Sequence, residues 1–179
     1  TPDRITETWE ESDGTGRGNW LPVADAKAVR ATTAARRQEV ERVEALEAEA
    51  RARARAVGDV IFRAGGAQHQ GYDAGVYELQ DGGRTLVNGR PTYKLVGKAV
   101  FLYYGTYGGW WINSSTDEDR GWWRVASKAL TPDRITETWE EDDGTNWHAV
   151  AGAKAVRATP AILRQEAERV EALEAEARA

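Results

Sequence analysis

The chain has 179 residues, 41% of them hydrophobic and 30% charged, with a net charge of −5. That balance fits a folded protein with a modest core and excludes a disordered tail; the interleaved charges offer no basic track for a phosphate backbone, so no nucleic-acid partner is expected. Cysteine is absent, which excludes disulfides and thiolate metal sites, and no apolar run is long enough to span a bilayer as a helix.

Residues 1–31 read as a β-hairpin carrying Trp9 and Trp20, the closing part of a preceding, truncated module. The stretch from Thr32 runs TTAARRQEVERVEALEAEARARARAV with neither Gly nor Pro and is built from strong helix formers. It predicts a helix over 32–57, capped by Thr32, stopped by Gly58 and about 37 Å long. Glu39, Glu41, Glu44, Glu47 and Glu49 precede Arg51, Arg53 and Arg55, an order that favours the helix dipole. Glu47–Arg51 and Glu49–Arg53 have the better i,i+4 orientation. The apolar stripe Val43, Leu46, Ala50 and Val57 is thin, so the helix either bridges modules as a semi-rigid spacer or lays a narrow seam on a partner.

Residues 58–158 read as one complete β-module. Strands are expected at Val60–Phe62, Val76–Leu79, Thr92–Val96, Val100–Tyr104, Trp110–Ile112 and Trp122–Val125. A loop holding His69, an Asn88-Gly89 turn and Gly97-Lys98 separate them. LTPDRI is a loop or a single helical turn, and a last hairpin joins Trp139 to Trp147 through Asp142-Asp143-Gly144-Thr145. Short strands at regular spacing argue an antiparallel meander or small barrel. Thr159-Pro160, a cap followed by proline, opens the next connecting helix over 159–179.

The internal repeat is the strongest signal. TPDRITETWEE at 1–11 returns unchanged at 131–141. DGT, NW, KAVRAT and ERVEALEAEARA then follow in both copies, the first carrying three extra residues, Gly16–Gly18. About 41 of 49 aligned positions agree, at a period of about 130 residues, far longer than a solenoid unit. The insertion sits in a turn, where length change is tolerated. Ala35 and Arg36 become Ile162 and Leu163, near the helix start, where packing on a module would differ between copies. The expected class is therefore α+β: small antiparallel β-modules alternating with long single charged helices in a tandem array. With no methionine and Thr1 falling inside a repeat, the chain reads as an internal piece of a longer or processed protein, one whose first hairpin is completed by more chain or another subunit.

VNGRPTYKL, FLYY, GGWWINSS, GWWRVASKALTPD and the closing TWEEDDGTNW occur in an order that resembles a Trp-rich β-module recurring in large multi-domain proteins of unicellular algae and other protists. The resemblance covers roughly residues 75–150. It implies a compact β building block and no catalytic residues; the long charged helix is not part of that pattern.

For binding chemistry the doubled aromatics stand out: Tyr103-Tyr104, Trp110-Trp111 and Trp122-Trp123 on three successive predicted strands. Side chains alternate across a sheet, so one of each pair points to the core and one away. The outward three either stack on sugars or a protein partner, or are covered by the helix, a loop or the next module. The acidic clusters Asp117–Asp119 and Glu140–Asp143 lack the spaced calcium-loop pattern and read as solvated turns. Only two histidines are present, and His148 is Leu21 in the other copy, which weighs against a His-based metal or acid–base site. No nucleophile elbow, phosphate loop or dinucleotide fingerprint occurs, so no enzyme, cofactor or metal is expected. Asn113-Ser114-Ser115 is a glycosylation acceptor pattern in a predicted loop and leans toward a secretory or cell-surface location.

Three functions follow as expectations. The first is a structural repeat protein of a fibre, filament or surface layer, its partners neighbouring repeats or identical subunits. The second is an extracellular array holding glycans or proteins on outward Trp and Tyr. The third is an intracellular scaffold whose helices pair through Val43, Leu46 and Ala50.

Overall fold

Short runs of β-branched and aromatic residues punctuated by glycine turns build the sheet, and runs of Ala, Glu and Arg build the two helices. The computed structural model describes residues 10–12, 20–22, 33–117 and 120–178. Contacts divide the chain into residues 1–42 and residues 43–179, and each part is taken by itself.

In the first part, β1 (Glu10–Ser12) and β2 (Trp20–Pro22) pair antiparallel, with Glu10 opposite Pro22, Glu11 opposite Leu21 and Ser12 opposite Trp20. The rest of the expected N-terminal hairpin, its turn and the Thr32 cap lie outside the described residues. Helix α1 (Thr33–Val57) begins in this part and continues into the second.

In the second part the sheet runs through β3 (Val60–Gly65), β4 (Gly75–Leu79), β7 (Tyr93–Leu95), β8 (Phe101–Tyr104), β9 (Trp110–Asn113), β10 (Trp123–Val125), β11 (Trp139–Asp142), β12 (Trp147–Val150) and β13 (Gly152–Arg157). A small hairpin, β5 (Leu86–Val87) and β6 (Arg90–Pro91), turns at Asn88-Gly89, both residues at positive φ. All neighbouring strands are antiparallel, in the order β12-β11-β10-β9-β8-β7-β4-β3-β13.

The two edge strands, β12 and β13, are separated in sequence by Ala151 alone. Val150 pairs with Trp139 at one edge while Gly152 pairs with Gly65 at the other. One residue cannot cross a flat nine-stranded sheet, so the sheet curls until its edges meet, and the stretch 147–157 bends across the seam. The result is a nearly closed antiparallel barrel.

Its interior follows from the registers. Leu102, Ile112 and Trp123 lie opposite one another on successive strands, as do Tyr104, Trp110 and Val125, and all face the core or its rim. Phe62 sits between two indoles, its ring 5.0 Å from Trp123 and 5.0 Å from Trp139, edge-on to both. Large rings in edge-to-face contact fill a small barrel with few atoms of backbone. Pro132–Arg134 forms a short 3-10 turn packed against β13.

α2 (Pro160–Ala177) starts as the Thr-Pro pair predicts: the Ile162 amide donates to Thr159 Oγ1 at 3.3 Å. Gly58 ends α1 at φ +69°, its amide donating to Ala54 O at 2.8 Å. The two i,i+4 pairs form, Glu47–Arg51 at 2.9 Å and Glu49–Arg53 at 2.8 Å. The architecture is α+β with β dominant. No described helix is long and apolar enough to cross a membrane.

Candidate interaction site: the closing element and the aromatic face

Residues 131–157 close the barrel, and Glu141 is their anchor. It lies on β11 opposite Trp123, on the inward row of side chains, and is 2% exposed. A carboxylate there needs donors. The loop before β4 supplies them: the Gln68 amide donates at 2.9 Å, His69 at 3.1 Å and Gln70 at 3.3 Å. Burial works to raise this carboxyl's pKa, but the three amides outweigh it and hold the group below its ordinary value. The same loop is tied on further by Gln70 Nε2 to Asp142 O at 3.0 Å and by Trp123 Nε1 to Gln70 O at 3.1 Å. The burial of Glu141 corrects the expectation that Glu140–Asp143 is a solvated turn. The true turn residue is Asp143, whose carboxyl is held at about 2 by the Asn146 amide, the His148 ring and the Thr145 amide. Glu118 and Asp119 lie outside the described residues.

Of each aromatic pair, one member is fully buried: Tyr103, Trp110 and Trp123. Tyr104, Trp111 and Trp122 are half-buried. The three half-buried rings do not make the flat strip that simple alternation suggested. Tyr104 lies on the core side, 5.8 Å from Trp110, with the Arg90 guanidinium 5.0 Å from its ring centre. Trp122 precedes β10 and packs against the core cluster. Tyr103 is on the outward row yet is covered, its hydroxyl donating to Arg120 O at 3.1 Å.

What remains outward is a different set. Trp111 pairs with Arg124, Arg124 with Glu140 and Glu140 with Ala149, so these share the outer face, and Trp147 lies two residues before Ala149 on that face. Trp111 and Trp147 meet edge to face at 5.7 Å, and the Arg124 guanidinium lies 4.2 Å from the Trp147 ring centre while pairing with Glu140 at 2.6 Å. Trp147 was legible only as a hairpin end; its partnership with Trp111 needed the register of four strands.

Both helices touch the module. On α1, Ala50 and Ala54 are fully buried, Val57 is half-buried against the core, and Val43 and Leu46 stay exposed. The four seam residues are therefore divided between buried and exposed positions. Ala54 faces Gly83, where an added Cβ would stand 3.1 Å from the alanine methyl, and Arg51 Nε donates to Arg84 O at 3.2 Å. On α2, Glu166 is 9% exposed and its Oε2 lies 3.5 Å from Arg63 Nε on β3. A cleft of about 740 Å³ beside it is lined by Val76, Leu95, Val96, Lys98 and Leu163. The sequence missed Glu166 because it looks like every other helix glutamate.

His69 and His148 come within 5.9 Å ring to ring, with Asp143 against His148. Among the described residues no three metal-ligating side chains converge. Asn113 was expected in a loop. It is the last residue of β9, 8% exposed, its Oδ1 accepting from the Ser114 amide at 2.7 Å, because the strand continues to pair with Phe101 there. The chain matches no family model, no curated protein and no solved structure.

Proposed function

We propose that this chain is a structural repeat protein, a building block in which β-modules are joined through charged helices into an extended fibre, filament or surface assembly. One observation carries the reading. The closing hairpin occurs twice, and both copies adopt the same pairing: Glu11 opposite Leu21 and Glu141 opposite His148 occupy equivalent places. A closing element that recurs with its register intact is a part made for repeated use. The helices add support. Through Ala50 and Ala54 α1 packs on the module that follows it, and α2 packs through Glu166 on the module that precedes it. Since α1 and α2 are copies, a helix in an array would grip a module at each end and fix the angle between them. The test is electron microscopy and small-angle scattering on the natural assembly or on a protein of three repeats. Rod-like particles with a regular axial spacing are expected. A flexible string of independently tumbling modules would refute the reading.

A second reading, glycan or protein binding on the outer face, is favoured by Trp111, Trp147 and Arg124. Half-exposed indoles in edge-to-face contact beside a guanidinium and a carboxylate suit a sugar ring. A glycan screen of the parent against Trp111→Ala and Trp147→Ala separates the readings: retention lost in both variants supports binding, and no retention by the parent dismisses it. The burial of Ala50 and Ala54 against the module weighs against a scaffold of helix pairs.

A further inference from the structure

Two nearly identical closing elements in one chain raise a sorting problem. The barrel wall built by residues 60–130 takes residues 131–157, and residues 1–30 carry almost the same sequence. The strand at the seam shows where they differ. β13 reads GAKAVR, and its counterpart at 25–30 reads DAKAVR. Five of the six strand residues are the same, including the inward Ala153 and Ala155, matched by Ala26 and Ala28. The sole difference is Gly152 against Asp25.

That position has no room for a side chain. Gly152 lies directly opposite Gly65, and a Cβ on it would stand 2.2 Å from the Gly65 carbonyl oxygen and 2.9 Å from its carbonyl carbon. Both obstacles are backbone, so no rotamer change relieves them. Glycine is required here by close approach of two chains. The seam is also where the barrel closes, so prying β13 from β3 opens the sheet. A second difference acts in the same direction. Leu163 lines the apolar cleft with Val76, Leu95 and Val96, whereas its counterpart is Arg36.

We propose that the residue entering the seam strand, Gly152 in one copy and Asp25 in the other, decides which closing element the barrel accepts. The barrel of residues 60–130 refuses residues 1–42, whose partner is a different β-module of the same kind, one whose equivalent of β3 leaves space for a side chain at that end. In a molecule with repeated closing elements this prevents strand exchange between copies. The proposal rests on the duplication within this chain, and its failure would leave the structural reading above standing.

The test uses the full chain with Gly152→Asp alone and with Asp25→Gly/Gly152→Asp, each refolded from urea over a range of protein concentrations. Melting is followed by tryptophan fluorescence and mass by light scattering. Gly152→Asp is expected to lower the barrel's melting temperature by about 10 °C or more and to remain monomeric. Placing glycine at position 25 gives the barrel an acceptable closing element on another copy. The double variant is therefore expected to recover the parent's transition in species of two or more chains, increasingly so at higher concentration. A Gly152→Asp chain that melts with the parent overturns the proposal. So does a double variant that neither recovers nor associates more than the single one. Loss of a glycine from a strand does not by itself predict rescue from a position 127 residues away.

Discussion

Replacing Glu141 by Gln tests whether a buried carboxylate anchors the closing element. The substitution keeps the shape and removes the charge. At present the two carboxylate oxygens accept from the amides of Gln68, His69 and Gln70. Glutamine offers one acceptor oxygen, and its NH2 must face at least one of those amides. Hydrogen bonds to a charged group contribute about 1.5–3 kcal/mol, and an unpaired buried donor costs about 1–3 kcal/mol. Because the three amides share one group and do not add, we expect a loss of about 2–4 kcal/mol for Glu141→Gln. For a barrel of about 100 residues this lowers the melting temperature by roughly 10–25 °C. The assay is urea denaturation followed by tryptophan fluorescence, with amide exchange at residues 68–70 as a local readout. The pH dependence has a definite sign. The folded pKa lies below the ordinary 4.5, so the carboxylate's contribution is complete above that value and is lost as pH falls through the lower folded one. Glu141→Gln removes this acid sensitivity. A variant within about 0.5 kcal/mol of the parent at pH 7, with unchanged exchange in the loop, would refute the anchoring argument.

Asp73 works in the opposite direction. It is fully buried with both carboxylate oxygens lacking hydrogen-bond partners, and burial raises its pKa to about 6, offset in part by Lys98. Its unfolded form ionises near 3.8, so stability falls as pH rises from about 4 to about 6 and is constant beyond. Asp73→Asn should stabilise the protein at pH 7 by up to about 3 kcal/mol and flatten that pH window; an equal or lower melting temperature at pH 7 would disprove the penalty. Gly83→Ala should cost about 1–3 kcal/mol, because φ is +74° and the new methyl would stand 3.1 Å from Ala54. Ala54→Asp should free the C-terminal half of α1, raising amide exchange across residues 43–57 about tenfold or more, the result of burying an unpaired charge. If exchange there is unchanged, α1 does not depend on its contact with the module.

Sequence alone determined the pieces and their multiplicity. The repeat is a matter of letter identity, and the helices follow from Ala, Glu, Arg and Leu runs with a Thr-Pro start and a Gly stop. Eight of the nine strands in the large sheet followed from β-branched and aromatic runs and from turn signals between them. β13 was missed because Gly-Ala-Lys-Ala-Val-Arg carries little β-propensity; pairing with β3, not local preference, makes it a strand. The barrel's closure was likewise invisible, since it arises from Gly65 and Gly152, 87 residues apart, meeting at the seam. Tertiary structure also decided which glutamates matter. Glu141 and Glu166 are indistinguishable in sequence from their solvated neighbours, and only the arrival of a loop's amides or of Arg63 gives them a role. The aromatic pairs drew attention to one region of the sheet, but which rings remain outward depends on the registers of four strands and a covering loop. A local pattern fixes what a residue prefers, while burial, closure and charge pairing depend on segments that meet only when the chain has folded.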